Sequence, residues 1–507
     1  MSKVLAVVLV ALLLVAPAAS ADPGLPLGSP WLRETRTTDV LAPGVSYTRI
    51  ARGELSPRDG WTVDVAVLAD REAARDLATR LRAAGHDPEL QSLDGPRDAR
   101  GRLGSLVRSG LFATRAEADA HASALRAAGF TVRGPVFTAE DGERTSGPWV
   151  VHVLSVERKA YGRVQAALAN DVVVEREALS MVAGRKGALA AINGGYFVIG
   201  AADGTPGDLA GISVLDGELV SEAVDGRTSL LLAPRAPSVG ALWDGYWVIA
   251  SDGATRVLDG HNRRPGAIRA CGGTGGDTPT EAPLHDFTCT DPSELIRSAS
   301  IFGAPTERGE GVEAVLDAFG RVVAVRSPRG GVIPPGGSVL TGTGDAAEWL
   351  HAHARTGARL GVVTRVGSER GPLPLARGLS VINGGPRLLR AGRTAITAAA
   401  EGFDRPGDPA FYYAFGLRRN PRTIAGVARD GRLLLVAVDG RAPGYSAGLD
   451  FEEEAAVMRS LGATDAVNLD GGGSTTMIIR GTMVTRPSDA TGERPIADAV
   501  LVRPSGD

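Results

Sequence analysis

Asn468-Leu469-Asp470-Gly471-Gly472-Gly473-Ser474-Thr475 follows a strand-like run, Ala466 to Leu469, and leads into another, Thr476 to Ile479. A buried strand that ends in a carboxylate and three glycines presents backbone N–H groups with no side chains in the way, a concavity suited to an anionic oxygen. Two further strands end alike, in Ile192-Asn193-Gly194-Gly195 and Ile382-Asn383-Gly384-Gly385. Each ending alone reads equally well as a tight turn, because Gly and Asn tolerate positive φ. Three in one region, one of them carrying Asp, Ser and Thr, point to a site. It is not a nucleotide loop. Strand-like residues follow the glycines, so no helix N-terminus stands behind a phosphate, and no Gly-Lys-Ser/Thr follows.

Outward from this stretch the chain reads as many short strands broken by Gly, Pro and Asp turns. Examples are 150–156, 172–174, 188–192, 229–232, 246–249, 312–316, 322–325, 380–382, 423–427 and 433–438, with helices over 176–184, 346–356 and 451–461. That pattern predicts an α+β fold, a large mixed β-sheet domain with few helices, spanning residues 148–503. Asn420-Pro421-Arg422-Thr423 precedes one strand and Asp439-Gly440-Arg441 ends the next, with a hairpin turn at 429–432 between them, so both ends share one edge. Arg422 and Arg441 beside a Gly-rich loop suit a phosphodiester, which needs neutralisation and bidentate hydrogen bonding. Asp439 and Asp470 supply a carboxylate pair of the kind that works at an anomeric carbon, although either could cap a turn. Gly444-Tyr445-Ser446-Ala447-Gly448 imitates a serine-hydrolase elbow, but the preceding strand stops too early and no His follows Ser446.

The first third contains a repeat. Residues 70–85 and 114–129 align at an offset of 44, each with a strand-like lead, a capped helix and a Gly stop. Thr114 with Glu117 forms a capping box, and Asp70 is the corresponding cap. Residues 61–138 therefore read as a small domain built on a βαβ unit, twice. Residues 22–60, rich in Pro, Gly, Thr and Arg, read as a linker with a short strand at 45–50. Met1 to Ala21 has Lys3, an apolar run from Val4 to Val15 and Ala19-Ser20-Ala21, the layout of a secretory signal peptide with no stable membrane span after cleavage. In an oxidising compartment Cys271 and Cys289 can form a disulfide, favoured over a zinc site because no fourth ligand has the usual spacing.

The 507 residues carry 55 basic and 58 acidic side chains, a net charge of −3, which excludes the broad basic field that nucleic acid demands. Only three of the basic residues are Lys, leaving 52 Arg, so abundance singles out no arginine.

The four motifs 190–197, 420–423, 438–441 and 468–475, occurring in order, resemble the signature of the phosphodiester glycosidase family, which cuts the bond between an anomeric sugar carbon and phosphate. The repeat resembles the SPOR domain of bacterial envelope proteins, which implies a small ferredoxin-like βαβ repeat domain and peptidoglycan glycan strands as partner. By resemblance the site comprises Asn193, Arg422, Asp439, Arg441, Asn468, Asp470 and Ser474, with Gly471, Gly472 and Gly473 and, less directly, Arg486, since Thr485 stands where the family often has Asn. The expectation is a secreted, wall-associated hydrolase of sugar-1-phosphodiesters, with Asp470 and Asp439 catalytic. A non-catalytic wall-binding protein is the alternative. Ca²⁺ or Mg²⁺ is compatible with the carboxylates, although no ligand cluster demands one.

Overall fold

The computed structural model describes residues 24–99, 101–141, 144–224, 226–233, 235–269, 278–279, 288–405 and 407–504. The signal peptide expected at 1–21 and Cys271 lie outside them. The fold is α+β, with a central antiparallel sheet in the order Glu34–Ala42, Val45–Arg52, Trp149–Val156, Leu433–Val438, Arg422–Ala428, Ala463–Asn468, Arg387–Arg390, Arg393–Thr394.

The inner strands read as continuous apolar runs because both faces of this sheet are covered. In Leu433–Val438 alternate residues separate cleanly: Leu434, Val436 and Val438 enter one core, Leu433, Leu435 and Ala437 the other. The second core is shared with a five-stranded sheet, Thr482–Met483, Met477–Ile479, Ala190–Asn193, Asp498–Val502, Val164–Leu168. Two further sheets, of eight and five strands, are built mainly from residues between 213 and 383.

Residues 22–60 are not a linker. Glu34–Ala42 and Val45–Arg52 pair as a hairpin on the edge of the central sheet, Val45–Arg52 in full register with Trp149–Val156. The hairpin was hidden because Thr35 to Val40 lie exposed and show no apolar alternation. The 172–174 stretch, expected as a strand, is a bend, and Asp498–Val502 is a strand that the reading by periodicity passed over.

The N-terminal module forms a four-stranded sheet, Pro88–Asp94, Arg102–Phe112, Trp61–Leu68, Gly134–Phe137. Its helices Arg71–Ala83 and Arg115–Ala127 start at the foreseen caps, Asp70 and the Thr114/Glu117 box. They cover one face through Val63, Val65, Val107, Leu81 and Leu125. The opposite face is buried too: Val67, Leu93, Leu106 and Phe137 share a core with Phe403, Tyr412, Tyr413 and Phe451. Within that contact Arg108 Nη1 donates to Asp141 Oδ2 at 2.6 Å, and the Tyr413 hydroxyl donates to Asp64 Oδ2 at 2.7 Å, all of them buried. A buried ionic network of this kind fixes one docking geometry, because displacing either partner leaves an uncompensated charge.

Candidate active site

The strands Leu433–Val438 and Ala463–Asn468 both run antiparallel to Arg422–Ala428, so Asp439, Asp470 and the start of 422–428 come to one edge of the central sheet. The chain leaves this sheet at Asn468, crosses 469–476 and enters the second sheet at Met477. At the same place Ala190–Asn193 ends and its antiparallel neighbour Asp498–Val502 begins, with Ala499 opposite Asn193. Sheet crossing therefore gathers Asn193, Asn468, Asp470, Ser474 and Asp498.

The glycines permit this convergence. A Cβ on Gly194 would stand 2.3 Å from Asp498 Oδ1, one on Gly195 2.4 Å from Asn383 O, and one on Gly473 2.3 Å from Arg494 Nη2. Gly472 also needs its freedom, at φ +59°. Their amides do less anion holding than the sequence suggested. Gly472 N–H donates to Pro421 O at 2.9 Å, and the Ser474 and Thr475 amides bond back to Gly471 and Gly472 carbonyls at 3.2 Å.

Asn193 is a clamp. Its Nδ2 donates to Asp470 O at 2.7 Å, while its Oδ1 accepts from Thr423 Oγ1 at 2.7 Å and Thr476 N at 3.2 Å. Asn468 Nδ2 donates to the Tyr196 hydroxyl at 2.6 Å and to Gly385 O at 2.9 Å, and that hydroxyl donates to Gly385 O. Asp498 Oδ1 accepts from Gly195 N at 2.8 Å.

Two buried polar atoms here, Asn468 Oδ1 and Asp498 Oδ2, have no hydrogen-bond partner among the described residues, and Ser474 Oγ has none besides the Asp470 carboxyl. Since nearly all buried polar atoms are satisfied, such a group marks a place that receives a ligand or reacting atom. The two carboxyls are poised for proton transfer. Burial holds Asp498 up at about 7, with a further push from Asp470. Burial raises Asp470 to about 6, opposed by the neighbouring Ser474 hydroxyl and Arg494.

Arg441 supplies the positive charge. Asn420 Oδ1 accepts from its Nε at 3.2 Å and its Nη2 at 2.8 Å, and a Cβ on Gly472 would lie 3.4 Å from its Nη1. Arg441 is exposed and makes no ion pair among the described residues. Desolvation by the surrounding protein, then Arg418 and Arg422, lower its pKa, the signature of cations gathered with too few carboxylates.

Three expectations change. Arg422 is not a phosphate contact: it is 2% exposed, with Nε donating to Leu449 O at 2.8 Å and Nη2 to Phe415 O at 2.6 Å. Its guanidinium lies over Phe451 and 2.9 Å from Glu454, whose carboxyl burial raises to about 8. Asp439 is not Asp470's partner. A whole strand separates them, on the order of 10 Å at ordinary strand spacing. Its Oδ2 meets His152 Nε2 and the Tyr445 hydroxyl at 3.1 Å and its Oδ1 accepts from Arg486 N at 2.8 Å, so its lone pairs are occupied. Tyr47 of the edge hairpin closes the far side of that His152, at 2.8 Å. Arg486 belongs to this second group, with its guanidinium 5.0 Å over the Tyr445 ring. Ser446 is a brace, donating to Asp439 O at 2.5 Å.

Asp498, Arg494 and the holding role of Asn420 escaped the sequence reading. An acidic residue opening the otherwise apolar run Ile496 to Val502 was the available signal for Asp498. Among the described residues no three His, Cys, Asp or Glu side chains converge as metal ligands would.

A phosphodiester glycosidase family model matches residues 310–503, and a SPOR domain model matches residues 57–132. The chain carries a phosphodiester glycosidase domain and a SPOR domain. It is similar to mouse N-acetylglucosamine-1-phosphodiester alpha-N-acetylglucosaminidase, 32% identical over 130 residues, which are 25% of this chain and 25% of the mouse protein. The chain thus spans about a quarter of the length of the curated relatives it matches first. A crystal structure from Burkholderia pseudomallei K96243, of a protein expected to be exported, aligns over 96% of this chain and 99% of its own, at 36% identity and a TM-score of 0.86. The two chains belong to one family. A hypothetical protein from Synechocystis shares the fold, at 16% identity and a TM-score of 0.54 over 93% of this chain and 79% of its own.

Proposed function

We propose that the protein is an exported hydrolase that cleaves the sugar–phosphate bond of glycosyl-1-phosphodiesters. The observation that carries the reading is the convergence of Asp470 and Asp498, both with raised pKa, on a site with two buried polar atoms unpartnered among the described residues, next to an arginine that makes no ion pair of its own among them. Arg441 neutralises the phosphate, a good leaving group once its charge is met, and that is the large electrostatic contribution. At neutral pH the two carboxyls hold about one proton between them. One is then available as carboxylate, to stabilise or attack the anomeric carbon or to take a proton from water, while the other is available as acid. Ser474 and Asn468 present polar atoms that a sugar hydroxyl can satisfy.

The test is turnover of a panel of sugar-1-phosphodiesters by the purified mature protein, with N-acetylglucosamine-1-phosphodiesters and envelope-type phosphosugars included. Folded protein that releases no sugar from any member, with Ca²⁺ or Mg²⁺ added, refutes it. Export is checked by N-terminal sequencing of secreted protein, expected to begin at Asp22. The Cys271–Cys289 disulfide is checked by thiol titration under non-reducing denaturation, expected to find no free thiol.

Wall association through the SPOR domain is the second part of the reading. Because both faces of its sheet are covered, glycan would contact its edges and outer helical surface. Sedimentation of the full chain with isolated peptidoglycan tests this, and a chain left wholly in the supernatant removes it. A binding protein that shares this site without cutting is excluded by any turnover in the panel.

A further inference from the structure

The turn that follows the module, Thr138–Glu140, is buried against the large domain beside the arginine cluster. Arg419 donates from its backbone N to Glu140 O at 2.9 Å and from Nη1 to Ala139 O at 3.0 Å. Arg418 Nη2 reaches Glu140 Oε2 at 3.4 Å. Arg418 O in turn accepts from Asn420 Nδ2 at 2.9 Å, and Asn420 Oδ1 holds Arg441. An unbroken polar chain thus runs from this turn to the guanidinium assigned to the phosphate.

The other arginines near this point are balanced locally: Arg419 by Glu453, Arg422 by Glu454 and Arg494 by Asp489. Arg418 and Arg441 share one carboxylate, Glu140. Its coupling to the pair is mutual: burial raises Glu140 to about 7, opposed by Arg418 and then Arg441, and Glu140 in turn favours the charged form of Arg441.

We infer that Glu140 is a specificity-determining residue of the site, supplied by the turn that follows the SPOR module: within the arginine cluster, two cations with one anion leave a single positive charge, which fits a phosphodiester monoanion and disfavours a phosphomonoester dianion. This rests on the proposed phosphodiester reading. Its consequence is kinetic as well as selective. Hydrolysis converts a monoanionic diester into a monoester, which becomes dianionic near neutral pH, so a site limited to one positive charge releases its product. The segment that joins the module to the large domain is then a wall of the proposed site, besides any role of the module in anchoring.

The test is anion binding by the full chain at pH 8, where Glu140 is ionised and inorganic phosphate is dianionic, using inorganic phosphate and dimethyl phosphate in titration calorimetry. Glu140→Gln is expected to raise the affinity for phosphate relative to dimethyl phosphate by about tenfold or more, as removal of one nearby charge requires. Arg418→Gln is expected to shift the ratio the other way. An unchanged ratio in Glu140→Gln protein of wild-type melting temperature overturns the inference while leaving the proposed function intact. If Glu140→Gln does not fold, Arg418→Gln decides, and an unchanged ratio overturns the inference equally. A wild-type protein that binds neither anion fails the phosphodiester reading itself, and this inference with it.

Discussion

Replacing Asp498 by Asn should make the protein more stable at pH 8 while abolishing its activity. Burial raises the folded-state pKa of Asp498 from 3.8 to about 7. Between those values the folded chain retains a proton that the unfolded chain has released, so stability falls as pH rises from about 4 to about 7 and remains low above. Roughly three pH units at about 1.4 kcal/mol each give a penalty on the order of 4 kcal/mol at pH 8, an upper bound. Asn keeps an Oδ1 acceptor for Gly195 N, which now donates at 2.8 Å, and carries no charge at any pH. The expected gain at pH 8 is therefore about 1 to 4 kcal/mol, against less than half of that at pH 5, where only about 1.2 of the roughly three pH units of penalty have accrued. The assay is urea unfolding followed by tryptophan fluorescence at both pH values, with turnover measured on the same preparations. Turnover should fall by about two orders of magnitude or more if the group transfers a proton in the transition state. An Asp498→Asn protein with the wild-type difference between pH 5 and pH 8, or one that is less stable than wild type at pH 8, refutes the assignment of a strained buried carboxyl.

The pH dependence of turnover should be bell-shaped, with its maximum where the pair carries one proton, between about 6 and about 7, and with both limbs belonging to the pair; a flat profile from pH 5 to 8 rules this out. Arg441→Ala should weaken substrate use by about two orders of magnitude with an unchanged melting temperature, because its side chain is exposed. Arg422→Ala should instead destabilise by about 3 to 5 kcal/mol, since Glu454 is left buried without its cation; comparing soluble yield and melting temperature of the two variants separates the roles. Arg108→Met should loosen the module from the catalytic part by unpairing Asp64 and Asp141, read as new proteolytic cleavage between residues 134 and 150. Resistance equal to wild type counts against a load on that network.

Much of the local structure was legible because it depends on neighbours in the chain. The capping box at Thr114, the Gly stops of the repeat and the apolar strand Leu433–Val438 follow from propensity and from backbone groups that need partners. Of the hairpin at residues 34–52 only the second strand, read at 45–50, was legible, because the exposed first strand of Thr and Arg carries no periodic signal. At the proposed site, the motif around Asp470 coincides with the crossing between two sheets, but side-chain direction was invisible. Arg422 and Arg441 looked alike as residues beside a Gly-rich loop, yet one ends beneath Phe451 and the other at Gly472.

The sequence by itself determined an α+β catalytic region behind a duplicated strand-helix-strand module, and a chemistry of carboxylates and arginines gathered around glycine-ended strands. These follow from period, caps and composition, which are local. Only the tertiary structure decided which carboxylates form the pair. Asp439 and Asp470 share a motif pattern but are kept apart by the strand Arg422–Ala428, whereas Asp498 is brought to Asp470 because the chain passes between two sheets at 469–476 and the strand Asp498–Val502 pairs with Ala190–Asn193. Pairing across more than a hundred residues leaves no trace in local pattern. The low dielectric that raises the pKa values of both acids exists only once that crossing has closed over them.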